Sequence, residues 1–85
     1  MSWQIVWTRP AVRDLTKRLD RQTADRVRLK MKRFAEAGIG DVERLRGEKS
    51  EWRLRVGDWR VRFTYDPKRQ TLVVLRVLPR GRAYR

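Results

Sequence analysis

The chain has 85 residues, and its 23 Lys and Arg against 10 Asp and Glu give a formal net charge of +13. This length predicts one small domain, which we take as residues 1–85. The absence of Cys excludes disulfides and thiolate metal sites, and the absence of His removes the commonest general base and neutral metal ligand. The charge predicts a polyanionic partner, either a nucleic acid or an acidic protein.

No apolar run approaches the length of a membrane span. The first residues, Met-Ser-Trp-Gln, lack the basic and apolar regions of a signal peptide. We therefore expect a cytoplasmic protein without membrane contact. No metal-site or cofactor-binding pattern is evident, so we expect it to need neither.

The first half of the chain predicts one strand followed by two helices. Trp3, Ile5 and Trp7 alternate with Gln4, Val6 and Thr8, which is typical of a short strand with one face on a core. Thr8 and Asp20 are the expected N-caps of the two helices, and Gly38 and Gly40 are expected to end the second. The predicted apolar stripes are Ala11, Val12, Leu15 and Leu19, then Ala24, Val27, Met31, Phe34 and Ala35.

Residues 41–51 are expected to form a polar connection, and residues 52–63 then predict a β-hairpin. Gly57-Asp58 is the expected turn, because Gly at the first turn position accepts a positive φ. Side chains alternate across a strand, which separates two faces. One face is apolar, with Trp52, Leu54, Val56, Trp59, Val61 and Phe63; the other carries Arg53, Arg55, Arg60 and Arg62.

A two-residue turn sets Arg55 opposite Arg60 and Arg53 opposite Arg62. Like charges that face each other across strands are destabilising by up to about 1 kcal/mol a pair, so folding alone would not select this arrangement. Two interpretations stay open: arginines splayed into water, or a preformed grid of guanidinium groups for phosphates.

The C-terminal part predicts a turn at residues 66–69 and an apolar strand at residues 72–78, interrupted by Arg76 and ended by Pro79. The order is strand, two helices and three strands. We predict an α+β fold in which the two helices cover one face of a mainly antiparallel four-stranded sheet. The arginine face is then left open as a basic floor, and whether Arg76 joins it stays undecided.

This order of elements, with particular sequence segments, resembles the RelE/ParE superfamily of type II toxins. The segments are Leu-Arg-Gly at 45–47, the hairpin at 52–61, Val-Leu-Arg-Val at 74–77, and the tail from Arg80 to Tyr84. The resemblance spans essentially the whole chain. It implies the same β-α-α-β-β-β fold that the residues predict.

The resemblance also implies a toxin that enters the ribosomal A site and cuts mRNA, with the 2′-OH attacking the adjacent phosphate. The family's functional positions match Arg53, Arg55, Arg60, Arg80 and Tyr84, which we take as the catalytic set. We assign further RNA contacts to Arg46, Arg62, Arg76 and Arg82. The implied partners are the ribosome with its mRNA and a cognate acidic antitoxin that blocks the basic site.

One departure from the family keeps other functions open. Many relatives carry a His shortly before the tail Arg, where this chain has Pro79, so the general base is not identified. A ParE-like function, inhibition of DNA gyrase by binding without chemistry, is the first alternative. A non-catalytic RNA-binding protein is the second.

Overall fold

The computed structural model describes residues 2–45 and 50–82. Its elements are β1 (Gln4–Trp7), α1 (Arg9–Lys17), α2 (Arg21–Ala37), β2 (Val42–Arg44), β3 (Glu51–Val56), β4 (Trp59–Asp66) and β5 (Thr71–Pro79). The strands form one sheet in the order β1-β5-β4-β3-β2. β1 is parallel to β5, and every other neighbouring pair is antiparallel. Neither described helix is long and apolar enough to cross a membrane.

The helices begin at the predicted caps. The hydroxyl of Thr8 accepts a hydrogen bond from the N–H of Ala11 at 3.4 Å and donates to the carbonyl of Val74 at 2.7 Å, which ties the start of α1 to β5. The carboxylate of Asp20 accepts from the N–H of Thr23 at 2.7 Å. Hydrogen bonds from the side chain and backbone of Thr23 lower the pKa of Asp20.

The core lies between the two helices and the apolar face of the sheet, as predicted. Its most buried members are Ala11, Leu15, Ala24, Val27, Met31 and Ala35 from the helices and Leu54, Val56, Val61, Phe63, Leu72, Val74 and Val77 from the sheet. Val12 is the exception to the predicted stripes, because it is 44% exposed. Ala11 and Leu15 lie one turn apart and face the sheet, and Val12 is rotated about 100° away from them.

The sheet has five strands, so the four-stranded prediction is wrong in its count. The additional strand is β2, which lies within the stretch predicted to be a polar connection. Val42 pairs with Leu54 on the helix-covered face, and Glu43 pairs with Arg53 on the opposite face. A three-residue strand with one apolar side chain is too short to give a readable alternation.

The predicted hairpin register is confirmed: Trp52 is opposite Phe63, and Arg55 is opposite Arg60. Gly57 occupies the first turn position with a φ of 58°. A positive φ at that position is what a tight hairpin turn requires.

A β-bulge decides where Arg76 lies. Phe63 pairs with Val74, but Arg62 pairs with Arg76, so Leu75 is the additional residue on β5. Without this bulge Arg76 would point toward the helices, because successive side chains alternate between faces. The bulge places Arg76 on the uncovered face beside Arg62, which answers the question that the sequence left open.

Asp14 of α1 joins the helix to β5 through a buried carboxylate that is 2% exposed. It accepts hydrogen bonds from the N–H of Val77 at 2.9 Å and from the guanidinium of Arg76 at 2.8 and 3.2 Å. The last pair of β1 with β5 is Trp7 with Val74, so Val77 lies beyond the end of β1. Asp14 therefore provides the acceptor that a longer β1 would have provided.

We expect Asp14→Ala to lower the free energy of unfolding by about 3 kcal/mol, because it leaves buried donors without their acceptor. Urea denaturation followed by circular dichroism measures this change. Asp25→Ala is the matched control, since Asp25 pairs with Arg28 at 3.1 Å on an exposed helix face. It should change the free energy by no more than about 0.5 kcal/mol. Equal effects would contradict the role given to Asp14.

Tyr65 should make stability depend on alkaline pH. Its ring packs against Trp3, Trp52 and Phe63 at centroid distances of 5.2, 5.6 and 5.7 Å, and burial raises the pKa of its phenol. The fold favours the neutral phenol, so this contribution is complete below the ordinary pKa near 10 and is lost as the pH rises through the raised value. Relative to Tyr65→Phe, the wild type should lose unfolding free energy above about pH 10. If the difference in unfolding free energy between the wild type and Tyr65→Phe stays constant with pH, this role of Tyr65 is contradicted.

Candidate functional site

The face of the sheet opposite the helices carries the arginines of β3 and β4. A depression of about 280 Å³ opens on this face, lined by Asp41, Glu43, Arg53, Arg55 and Arg60. It lies toward the turn end of the hairpin, where Arg55 is paired with Arg60. Three residues of the predicted catalytic set are thus brought together by two adjacent strands.

Arg53 forms the inner wall of the depression and is 4% exposed. Its guanidinium pairs with the carboxylate of Glu43, the residue directly opposite it on β2. A buried cation is strongly disfavoured unless it is paired, so the strand pairing between β2 and β3 is what makes this position possible. Glu43 itself extends toward solvent.

Arg60 is the second buried arginine, at 7% exposure. One of its terminal nitrogens, Nη1, donates to the carbonyls of Gly57 at 2.8 Å and Trp59 at 2.9 Å. Gly57 is in the hairpin turn and Trp59 directly follows it, so the side chain of Arg60 is hydrogen-bonded to the backbone of the turn. Its position is fixed by backbone acceptors.

Arg55 and Arg62 are less enclosed than these two. The side chain of Arg55 is 63% exposed, and its guanidinium is 3.8 Å from the carboxylate of Asp41. Arg62 pairs with Glu51, which lies on the same face of β3. The described arginine face therefore differs from both sequence interpretations, because Asp41, Glu43 and Glu51 lie among the arginines. These carboxylates offset the repulsion between like charges across the strands.

Of the remaining predicted residues, Arg76, Arg80 and Arg82 are described by the structure, and each lies at a different place. The N–H of Arg80 donates to the carbonyl of Asp58 at 2.8 Å, which puts the backbone of Arg80 beside the hairpin turn, and its side chain is exposed. Arg82 follows in an exposed turn, with its N–H bonded to the carbonyl of Pro79 at 2.9 Å. Arg76 is directed to Asp14, away from the depression. Arg46 and Tyr84 lie outside the described residues.

A family model described as the ParE toxin of the type II toxin–antitoxin system, parDE, matches residues 5–84. The chain belongs to this family. It is a toxin of the RelE/ParE superfamily, as the sequence resemblance implied. None of the curated proteins matches the chain.

Solved structures show the same fold for this ParE-family toxin. The archaeal RelE–RelB complex from Pyrococcus horikoshii matches with a TM-score of 0.78 and 24% identity, over 96% of this chain and 99% of that one. The toxin–antitoxin complex RelBE2 from Mycobacterium tuberculosis gives 0.72 and 27%, over 95% and 94%. The RelB–RelE complex from Methanococcus jannaschii gives 0.74 and 22%, over 93% and 94%. The predicted α+β architecture is confirmed.

Asp41 and Glu43 were not predicted as members of the site of this toxin. They lie on or beside β2, whose existence was not predicted. The available signal was Val42 between two acidic residues, which places one apolar side chain on the core and both carboxylates on the other face. Within residues 2–45 and 50–82, no group of three or more acidic side chains that could hold a metal ion is present.

The burial of the arginines predicts different consequences for stability. Arg53→Ala and Arg60→Ala should each lower the free energy of unfolding by about 1–3 kcal/mol, because each removes a buried, hydrogen-bonded side chain. Arg55→Ala is the control on the same face and should change it by no more than about 0.5 kcal/mol. Urea denaturation of the three variants tests this. Equal stability of all three would contradict the burial of Arg53 and Arg60.

Proposed function

We propose that this toxin is a ribosome-dependent mRNA endonuclease that cuts in the A site. The observation that carries the proposal is the convergence of Arg53, Arg55 and Arg60 on one polar depression, with the backbone of Arg80 beside the hairpin turn. Converging guanidinium groups bind phosphate through paired donors and stabilise developing negative charge. The uncovered sheet face leaves room for an RNA strand to reach them.

The proposed reaction needs only positioning, proton transfer and charge stabilisation. The 2′-oxygen forms a bond to the adjacent phosphorus, and the bond from phosphorus to the 5′-oxygen breaks. The 2′-OH gives up its proton, and the leaving 5′-oxygen gains one. The products are a 2′,3′-cyclic phosphate and a 5′-OH end.

The described arginines divide this work according to their exposure. Arg55 is exposed and contacts the phosphate directly. Arg53 and Arg60 are fixed by their own partners and contribute a positive field at the floor of the depression. Arg80, whose backbone lies beside the hairpin turn, is proposed to stabilise the leaving 5′-oxygen. Tyr84 is proposed from the family resemblance to stack on a base.

The carboxylates at the rim do not prevent this reaction. The pair between Arg55 and Asp41 is long, at 3.8 Å, and both side chains are largely exposed. Exposed ion pairs of this kind contribute about 0–1 kcal/mol, so a phosphate can replace Asp41 at little cost. The structure thus separates one exchangeable arginine from two fixed ones.

We also propose that an acidic antitoxin covers this face. The similar solved chains come from complexes of a RelE toxin with its RelB antitoxin. A net charge of +13 favours an acidic partner, and the same guanidinium groups would accept its carboxylates.

Inhibition of DNA gyrase is the second candidate. The matching family model is described as ParE, and two of the three arginines in the depression are buried against acceptors within the chain. An arginine held in this way contributes to a docking surface without taking part in chemistry.

Primer extension on a reporter mRNA in a translating extract tests the proposal. Discrete cuts that appear only when ribosomes occupy the message, with cyclic phosphate ends, would support the endonuclease. Intact mRNA with inhibited supercoiling would select the gyrase inhibitor. RNA binding with neither effect would select a non-catalytic RNA-binding protein.

Arg55→Ala and Arg80→Ala should each reduce mRNA cleavage at least about 100-fold, since each removes a charge-assisted donor to the reacting phosphate. Their unfolding transitions should match the wild type, which separates lost chemistry from lost folding. Arg33→Ala is the control, because Arg33 is exposed on α2, on the helix side of the sheet. Full cleavage by both site variants would refute the assignment.

A further inference from the structure

A second group of arginines lies at the junction of α1 and β5. Arg9, Arg13, Arg18 and Arg76 surround a depression of about 240 Å³, together with Pro10 and Asp14. We call the four arginines the α1 arginine cluster. It includes four cationic side chains and one carboxylate, so its net charge is strongly positive.

The single carboxylate of this depression organises the cluster without neutralising it. Asp14 binds the guanidinium of Arg76 in a two-pronged manner and lies 3.5 Å from Nε of Arg18. Asp14 itself is almost fully buried, so solvent ions do not compete for it. Hydrogen bonding to Asp14 raises the pKa of Arg76, and a guanidinium group is charged at neutral pH in any case. Arg9 and Arg13 extend from the exposed side of α1.

The α1 arginine cluster adjoins the arginine face of the hairpin. Arg76 pairs across the sheet with Arg62, because the bulge at Leu75 turns it to the uncovered face. Arg62 in turn lies directly opposite Arg53 on the neighbouring strand, and Arg53 lines the first depression. The positions of Arg53, Arg62 and Arg76 therefore connect the proposed cleavage site to the α1 arginine cluster, with Glu43 and Glu51 paired to Arg53 and Arg62.

We propose that the α1 arginine cluster binds the phosphate backbone of an RNA helix. This inference rests on the proposed function for the identity of its ligand as RNA. It adds an anchoring site, distinct from the cleavage site, for the folded RNA that surrounds the substrate strand in a ribosome.

The residues of the cluster favour a helix backbone over a single strand. Proteins that bind single strands without sequence preference stack bases on aromatic side chains, and among residues 2–45 and 50–82 no aromatic side chain lines this depression. Guanidinium groups without aromatic neighbours bind phosphate groups, and proteins recognise double-stranded RNA mainly by its shape and its backbone. Arg9 and Arg13 lie one helical turn apart on α1, so they present two donors side by side.

The test measures binding of the full-length protein to a fluorescent RNA duplex of about 16 base pairs, between about 50 and 200 mM salt. The variant Arg9→Gln/Arg13→Gln should bind about tenfold more weakly at the lowest salt. Its slope of log K against log salt should become shallower by about 1.8, because two phosphate contacts to a duplex are lost, so the difference in affinity should shrink as the salt rises. The control Arg21→Gln/Arg33→Gln removes the same charge from α2 and should change the affinity less than about twofold.

Three results would overturn the inference: an unchanged affinity of the α1 variant, an equal loss in both variants, or equally tight binding of poly-glutamate to the wild type. Primer extension separates it from the proposed function. If the wild type cuts mRNA and the α1 variant cuts it with an unchanged KM, RNA binding by the cluster is refuted and the endonuclease function is retained. If the wild type binds the duplex through Arg9 and Arg13 but leaves ribosome-bound mRNA intact, the endonuclease function is refuted and RNA binding by the cluster is retained.

Discussion

The register of the hairpin formed by β3 and β4 is the constraint on which this structure depends. A tight turn at Gly57 and Asp58 fixes which residues face each other, and a shift by one residue would set the apolar side chains of one strand opposite the arginines of the other. In the observed register, Leu54, Val61 and Phe63 complete the core beneath the helices, and the arginines are left together on the uncovered face. The turn and the packing of the core therefore favour the same register. That register also brings the arginines together on the uncovered face.

Collecting arginines on one face creates a cost, which neighbouring elements offset. β2 adds an edge strand whose Glu43 pairs with buried Arg53, and the carbonyls of the turn accept from Arg60. The bulge in β5 and the buried carboxylate of Asp14 do the same for Arg76 at the other side of the sheet. As a result the guanidinium groups are held in place before any ligand arrives, which is the property that a phosphate-binding site requires. Exposed Arg55 stays free to exchange partners.

Strong local signals in the sequence predicted most of the fold. Thr8 and Asp20 cap the helices as expected, and the hairpin register follows from alternation and one Gly. Two features were not predictable. β2 is three residues long with one apolar side chain, and it forms because β3 offers a partner strand. The bulge that redirects Arg76 is a feature of the pairing between β4 and β5, and the partner of Arg76, Asp14, is 62 residues away in the chain. Long-range pairings of this kind leave no local pattern, so the arginines were predicted and their carboxylate partners were not.

In the proposed reaction, the arginine face promotes attack by a ribose hydroxyl on its neighbouring phosphate. The most direct test uses ribosomes programmed with two messages, one entirely ribonucleotide and one with a single 2′-deoxy nucleotide on the 5′ side of the A-site cleavage position. We expect the first message to be cut to a 2′,3′-cyclic phosphate and a 5′-OH, and the second to stay intact at that position. Cutting of the 2′-deoxy message there, or no cutting of the ribonucleotide message, would contradict it.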